Sequence, residues 1–206
     1  RDFLVAEGIK PETVIKTGSP MKEVLTANKK KIDDSDILKK ENLKPNKFFL
    51  MSIHREENVD SPKNFVELLS SIDAISEKYN LPIIISTHPR TKKKLEEIEY
   101  NKNNNLLRFS KPYGFHEYNK LQMNAFCVIS DSGTITEESS ILNLPAITVR
   151  QAHERHEGMD EGTLIMSGLN KDRIIESIEI VTKEHKKSRT MKIVKDYDVD
   201  NVSTKV

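Results

Sequence analysis

From Lys47 onward, short apolar runs alternate with helical periodicities, and no hairpin turn interrupts them. That alternation restricts the fold more than any other feature of the chain. Phe48-Phe49-Leu50-Met51-Ser52-Ile53 is a continuous apolar run, the pattern of a strand buried on both faces. Ser61-Pro62 opens a helix with Pro at its first position. Phe65, Leu68, Leu69, Ile72, Ile75 and Tyr79 then keep helical spacing. Leu81 to Thr87 reads as the next strand, Thr91 to Tyr100 as a charged helix, and Leu106 to Phe109 as a third strand. Phe115 to Met123 is a third helix, and Ala125 to Ile129 a strand that runs out at Asp131. A helix carrying Glu137 and Glu138 follows, then the strand Ala146 to Val149, and a last helix over Asn170 to Glu184. Strand–helix alternation of this kind predicts an α/β chain, a Rossmann-like doubly wound parallel sheet with helices on both faces.

The N-terminal part is less regular. Phe3 to Val5 reads as the end of a helix, with Gly8 and Pro11 as breakers. Thr13 to Thr17 reads as a short strand stopped by Gly18-Ser19-Pro20, and Met21 to Ala27 as a helix. Asn28 to Lys47 is rich in Lys, Asp and Asn; it reads as a linker with one short helix near Asp36 to Glu41. The expected division is therefore 1–27, a linker at 28–46, the regular domain at 47–190, and the start of a truncated C-terminal helix at 191–206. Charge adds an exclusion: 33 Lys and Arg against 32 Asp and Glu leave +1, which favours neither nucleic acid nor an anionic membrane as partner. Cys127, the single cysteine, lies in a predicted central strand. It reads as a small core residue, with a reactive thiol as the alternative. No disulfide framework is possible, so a reducing compartment, the cytoplasm, is expected. No apolar run approaches the ~20 residues that span a bilayer. The first residue is Arg1, so the native N-terminus is expected upstream.

Ligands of open α/β sheets sit outside the carboxyl ends of the strands. There the sequence places His54-Arg55-Glu56-Glu57-Asn58, His88-Pro89-Arg90, Ser110 to Gly114, Asp131-Ser132-Gly133, and Arg150 through Glu154-Arg155-His156-Glu157. Arginines suit phosphate oxygens, and a histidine can bond a phosphate or give a proton to a leaving group. Ser132 is the expected N-cap of the following helix, and Gly133 allows close approach to the main chain. The helix start favours a phosphate. Glu138 falls in line with Ile135 and Leu142, on the face that should be apolar. Two readings stay open: a carboxylate that receives ligand hydroxyls, or a buried structural glutamate paired with an arginine. Arg55 with Glu56 or Glu57, and Glu154 with Arg155, can also be read as loop ion pairs, and His88 as a strand-end cap. His116 and His185 read as surface residues. His153 and His156 with their glutamates lack metal-site spacing, so no metal is expected, and no cofactor. The phosphate-loop, dinucleotide-binding and nucleophile-elbow motifs are absent.

Three motifs in order, His54-Arg55-Glu56-Glu57-Asn58, Asp131-Ser132-Gly133 with Glu137-Glu138, and Arg150 through Glu157 to Gly162-Thr163, resemble the non-hydrolysing UDP-N-acetylglucosamine 2-epimerase family. The resemblance runs over essentially the whole chain. It implies the GT-B architecture, with residues 1 to about 27 ending an N-terminal domain, the rest forming the C-terminal, UDP-binding domain, and Tyr197 to Val202 as the start of a final helix that is cut off at Val206. The stretch Glu154 to Thr163 looks more like the capsule and O-antigen subgroup, which acts on UDP-N-acetyl-L-talosamine to give UDP-N-acetyl-L-fucosamine. The family's roles then fall on His54, near the glycosidic oxygen and diphosphate, on Ser132 and Gly133, at the diphosphate, and on Glu138, at the ribose hydroxyls. Tyr118 stands where an aromatic packs near uracil. Arg55 and Arg155 are expected on UDP, Asp131 and Glu154 as residues that shape the loops, and His88 and Arg90 at a regulatory UDP-sugar. Thr134 replaces a common second glycine and His156 a common proline. The implied reaction inverts C2 by eliminating UDP and adding it back, in a homodimer of the whole protein. The alternatives are a GT-B glycosyltransferase with a UDP-sugar donor and an inactive nucleotide-sugar sensor.

Overall fold

The computed structural model describes residues 1–87, 89–98, 100, 104–150, 164–187 and 193–206, with the backbone alone at 89 and 90. The chain opens with α1 (Asp2–Ala6), α2 (Met21–Asp33) and α3 (Ile37–Lys40). Next come β1 (Phe49–Ile53), α4 (Glu56–Val59), α5 (Pro62–Tyr79), β2 (Ile83–Thr87), α6 (Pro89–Glu97), β3 (Leu107–Ser110) and α7 (Phe115–Asn124). The remaining elements are β4 (Cys127–Ser130), α8 (Ile135–Leu142), β5 (Ala146–Thr148), β6 (Ile165–Met166), α9 (Lys171–Lys187) and α10 (Val202–Lys205).

The strands form one six-stranded sheet in the order β3-β2-β1-β4-β5-β6. Every pairing is parallel. The order runs outward from β1 to β3, then returns past β1 to start again at β4. The reversal leaves a crevice between the carboxyl ends of β1 and β4, the place where such sheets take ligands.

Alternating residues explain the two-sided core. Phe49, Met51, Ile53, Ile83, Ile85, Ile129 and Ile147 face α5 and α9, whose Leu68, Ile72, Ile75, Ile174 and Ile178 complete that layer. Phe48, Leu50, Ile84, Val128 and Ala146 face the other way, onto Ile37, Leu121 and Ile135 of α3, α7 and α8. Burying a side chain of this size stabilises by about 1.5–3 kcal/mol. α5 shows its sequence signals in place. Ser61 accepts a bond from Asn64 N at 3.4 Å, Pro62 is its first residue, and Asn80 ends it in the left-handed region with φ 49°. Cys127 is fully buried in β4, and burial pushes its thiol pKa up, as expected of a core residue.

Four expectations need correction. Thr13 to Thr17 is not a strand: a single 3-10 turn covers Pro11–Thr13 and no strand forms over the residues after it. Ile15 there is 77% exposed, so its β-propensity finds no neighbour to pair with. Second, the stretch from Asn28 is not irregular, because α2 continues to Asp33 and packs on α7 and α8. Third, β6 was not anticipated; Ile165 and Met166 pair with Ile147 and Thr148. Fourth, His116 and His185 have built contacts. His116 Nε2 lies 2.8 Å from Asn28 Oδ1, and His185 Nε2 lies 2.8 Å from the carbonyl of Asn143 at the end of α8.

The C-terminal residues return to the start of α2. Ser19 N donates to Asp196 O at 3.2 Å, and Lys22 pairs with Asp198 and Asp200, each at 2.8 Å. Gly18 is needed at this join. Its φ is 93°, and a Cβ there would meet Val199 Cβ at 2.9 Å.

Candidate functional site

At the crevice, β1 delivers His54 and Arg55, and β4 delivers Asp131. Asp131 N donates to Ser52 O at 3.2 Å, which locks the two strand ends together. The Asp131 carboxylate is fully buried. His54 N reaches both of its oxygens at 3.1 Å, Arg55 N reaches Oδ2 at 2.9 Å, and Asn58 Nδ2 reaches Oδ2 at 3.0 Å. His54 Nδ1 lies 3.2 Å from Oδ1. The four-residue helix α4 has no side-chain cap of its own. Asp131 takes that role from another strand, satisfying the N–H groups that lead into the helix. Arg55 Nε donates back to Asp131 O at 3.1 Å, while Nη1 lies 3.8 Å from Glu57 Oε1. The Arg55–Glu57 loop pair is therefore present. The His54 side chain is half exposed, at 49%.

The turn between β4 and α8 supplies the second part. Ser132 is not the N-cap. The cap position is Thr134, with no side-chain cap bond, because the turn is longer than the residues suggested. Ser132 Oγ instead forms a hydroxyl–hydroxyl hydrogen bond with Thr134 Oγ1 at 2.9 Å, and Ser132 N donates to Ser130 Oγ at 3.0 Å. A Cβ on Gly133 would meet Arg150 Nη1 at 3.8 Å, so the buried Arg150 guanidinium lies against this turn.

Glu138 sits in the first turn of α8 and is nearly buried, at 9% exposure. It accepts from Gln122 Nε2 at 2.7 Å and from Thr134. The donor is an amide of α7, where the residues alone offered an arginine. Burial raises its carboxyl pKa above the ordinary value, with the nearby Glu137 adding to the shift. Tyr118 stands one turn before Gln122, and its phenol lies close to Ser52 and Gln122. Burial raises the Tyr118 pKa, and the charges of Glu138 and Asp131 push the same way. Ser52 thus joins the two parts: its carbonyl holds Asp131 and its hydroxyl meets Tyr118.

Two features escaped the sequence reading. Gln122 is one. The other is a row of hydroxyls along the sheet edge: Ser110, Ser86, Ser52, Ser130 and Thr148 are register partners on successive strands. Ser52, Ser86, Ser130 and Thr148 each follow by two residues a side chain on the face covered by α7 and α8. The signal was readable, since a hydroxyl residue stands at most two places before each polar cluster.

His54, Arg55, Asp131, Ser132, Gly133, Glu138 and Tyr118 all fall at the β1–β4 crevice and the α7 and α8 faces beside it. His88, Glu154 and Arg155 lie outside the described residues, as does the Arg90 side chain, and as do His153 and His156. Among the described residues no group of three or more His, Cys, Asp or Glu is placed to hold a metal ion. No helix there is long and apolar enough to cross a membrane.

Comparison with known proteins gives concordant findings. A family model described as UDP-N-acetylglucosamine 2-epimerase matches residues 1–206. A UDP-N-acetylglucosamine 2-epimerase of Methanococcus maripaludis is 34% identical over 189 residues, covering 89% of this chain and 52% of that protein. The solved UDP-N-acetylglucosamine 2-epimerase from Rickettsia bellii superposes with a TM-score of 0.89 at 47% identity, covering 99% of this chain and 54% of that one. That of Methanocaldococcus jannaschii, in complex with UDP-GlcNAc and UDP, gives 0.84 at 32% identity, over 94% and 54%. The chain spans about half the length of the relatives it matches.

Proposed function

The chain belongs to the UDP-N-acetylglucosamine 2-epimerase family, and from that premise we propose that the whole protein inverts C2 of a UDP-N-acetylhexosamine and that this half holds the UDP. The observation that carries the reading is the convergence at the β1–β4 crevice. A half-exposed histidine, a glycine turn opening onto a helix start, and a nearly buried carboxylate share one edge.

C2 of the sugar is not acidic enough for simple proton removal and return. Elimination of UDP to a 2-acetamidoglycal, then re-addition after protonation on the other face, avoids that barrier. The enzyme must stabilise UDP as a leaving group and keep it from escaping. The α8 start offers N–H groups and a favourable dipole for the diphosphate. Ser132 and Gly133 shape that start, and Arg55 and Arg155 are its proposed cations. His54 is the proposed contact at the leaving oxygen. Glu138, with hydrogen-bonding capacity beyond its protein donors, suits the ribose hydroxyls, and Tyr118, close to it, is proposed near the uracil. His88 and Arg90 are proposed for a second UDP-sugar. The proton-transfer groups at C2 belong to the half of the family architecture outside this chain. The sugar is proposed as UDP-N-acetyl-L-talosamine, with UDP-N-acetyl-L-fucosamine as product, on the pattern of Glu154 to Thr163.

The test is NMR of the full-length protein with UDP-N-acetyl-L-talosamine and with UDP-GlcNAc in deuterated water. Deuterium at C2 of the epimerised sugar is expected. No label with either substrate overturns the reading. The 206-residue chain alone is expected to bind UDP without turnover.

A further inference from the structure

The geometry points to Asp131 as the positioning residue that sets the tautomer of His54, so that Nδ1 carries a proton and Nε2 is the nitrogen presented to the ligand. The inference deepens the proposed function and rests on its placing of His54 at the leaving oxygen.

Asp131 is held from several sides. Both carboxylate oxygens are met by donors: His54 N on both, with Arg55 N and Asn58 Nδ2 on Oδ2. The group cannot turn without breaking these bonds. Oδ1 is therefore held as an acceptor at 3.2 Å from His54 Nδ1. An ionised carboxylate only accepts, and a bare ring nitrogen 3.2 Å from it would set lone pair against lone pair, so Nδ1 is the nitrogen that carries the proton. Which nitrogen of a histidine carries the proton is set by the bond its partner makes. The ring is anchored on one side by a fully buried group and is 49% exposed on the other. The Asp131 carboxylate faces this side of the ring, and Arg55, next along the chain, pairs with Glu57 at 3.8 Å.

The consequence concerns both directions of the reaction. During elimination a protonated His54 gives its Nε2 proton to the UDP oxygen as the C1–O bond breaks and the electron pair stays on that oxygen. The imidazole that remains keeps its Nδ1 proton on Asp131. In re-addition the bare Nε2 takes the proton back as the C1–O bond forms. A histidine in the other tautomer would have no free Nε2 to receive it.

The test uses three measurements on the full-length protein with 15N-labelled histidine. In the native protein with neutral imidazoles, the 15N shifts and two-bond couplings are expected to report Nδ1–H with an unprotonated Nε2. Asp131→Asn keeps an acceptor for Arg55 N and Asn58 and can turn an NH2 toward Nδ1. The variant is expected to switch His54 to the Nε2–H tautomer and lower kcat about a hundredfold, within the range for positioned proton transfer, with KM and UDP affinity changed less than about threefold. In a His54→Ala background, which removes the group acted upon, Asp131→Asn is expected to cost nothing further in kcat. A native Nε2–H tautomer, or a further loss in the His54→Ala background, overturns the inference. The native spectrum decides it even where the variant folds poorly. Absence of C2 exchange in the native protein would instead overturn the function and leave the tautomer assignment standing.

Discussion

Asp131 and Glu138 are two buried carboxylates on one strand–turn–helix stretch, and the protein treats them differently. Asp131 is met by two main-chain N–H groups, an amide and a histidine. Glu138 is met by one amide and one hydroxyl, and burial raises its pKa. A buried carboxylate is costly unless donors meet it. Where the protein supplies the donors in full, the residue is a brace, and its removal should hurt folding. Where the supply is thin, the fold gains little from the charge, and its removal should hurt only what binds there.

Asp131→Ala should show the largest effect. It strands His54 N, Arg55 N and Asn58 Nδ2 together, each a lost partner of about 1–3 kcal/mol and not additive. A loss of about 3 kcal/mol in urea unfolding is expected. A loss under about 1 kcal/mol would break the contrast between the two carboxylates.

Glu138→Gln should do the opposite. Its unfolding free energy should stay within about 0.5 kcal/mol of the parent at neutral pH or rise, since a charge that is costly to bury is gone. UDP affinity, by calorimetry, should fall about tenfold or more, the cost of losing charge-assisted bonds to hydroxyls. A large stability loss with unchanged UDP affinity would reverse the roles assigned to the pair.

The raised pKa of Glu138 sharpens the comparison further. Below the ordinary value of 4.5, folded and unfolded chains both hold the proton. Above it the unfolded carboxyl ionises first, so unfolding releases a proton and stability falls as pH rises toward the folded-state pKa. The parent should therefore lose stability relative to Glu138→Gln across that window, and UDP should bind more tightly as pH rises through it. Parallel pH curves for the two proteins would remove the assignment.

The same contrast explains what could be read from the sequence. The strands were legible because Phe48 to Ile53 and Ala125 to Ile129 carry their burial on both faces in their composition. The polar clusters after each strand were legible because a parallel sheet sends all its carboxyl ends to one edge. Asp131 as the centre of the β1–α4 loop was not, since its partners His54 and Asn58 lie 77 and 73 residues away and no local pattern encodes them. Gln122 was missed for the same reason: it meets Glu138 across two helices. Thr13 to Thr17 misled because Val14 and Ile15 favour a strand locally, but pairing is decided by neighbours.

Ser132, between the two carboxylates, should show the smallest effect. As an N-cap it would be worth about 1 kcal/mol on replacement by alanine. Among the described residues its hydroxyl bonds Thr134 alone, as a hydroxyl pair at 2.9 Å and a long bond from the main chain at 3.4 Å. Both are local and partly wet, so Ser132→Ala should change unfolding by about 0.5 kcal/mol or less. If the diphosphate is held by main-chain N–H groups, UDP affinity should move less than in Glu138→Gln. A loss equal to that of Glu138→Gln would make the hydroxyl itself a ligand contact and shift the weight of the turn from its backbone to its side chain.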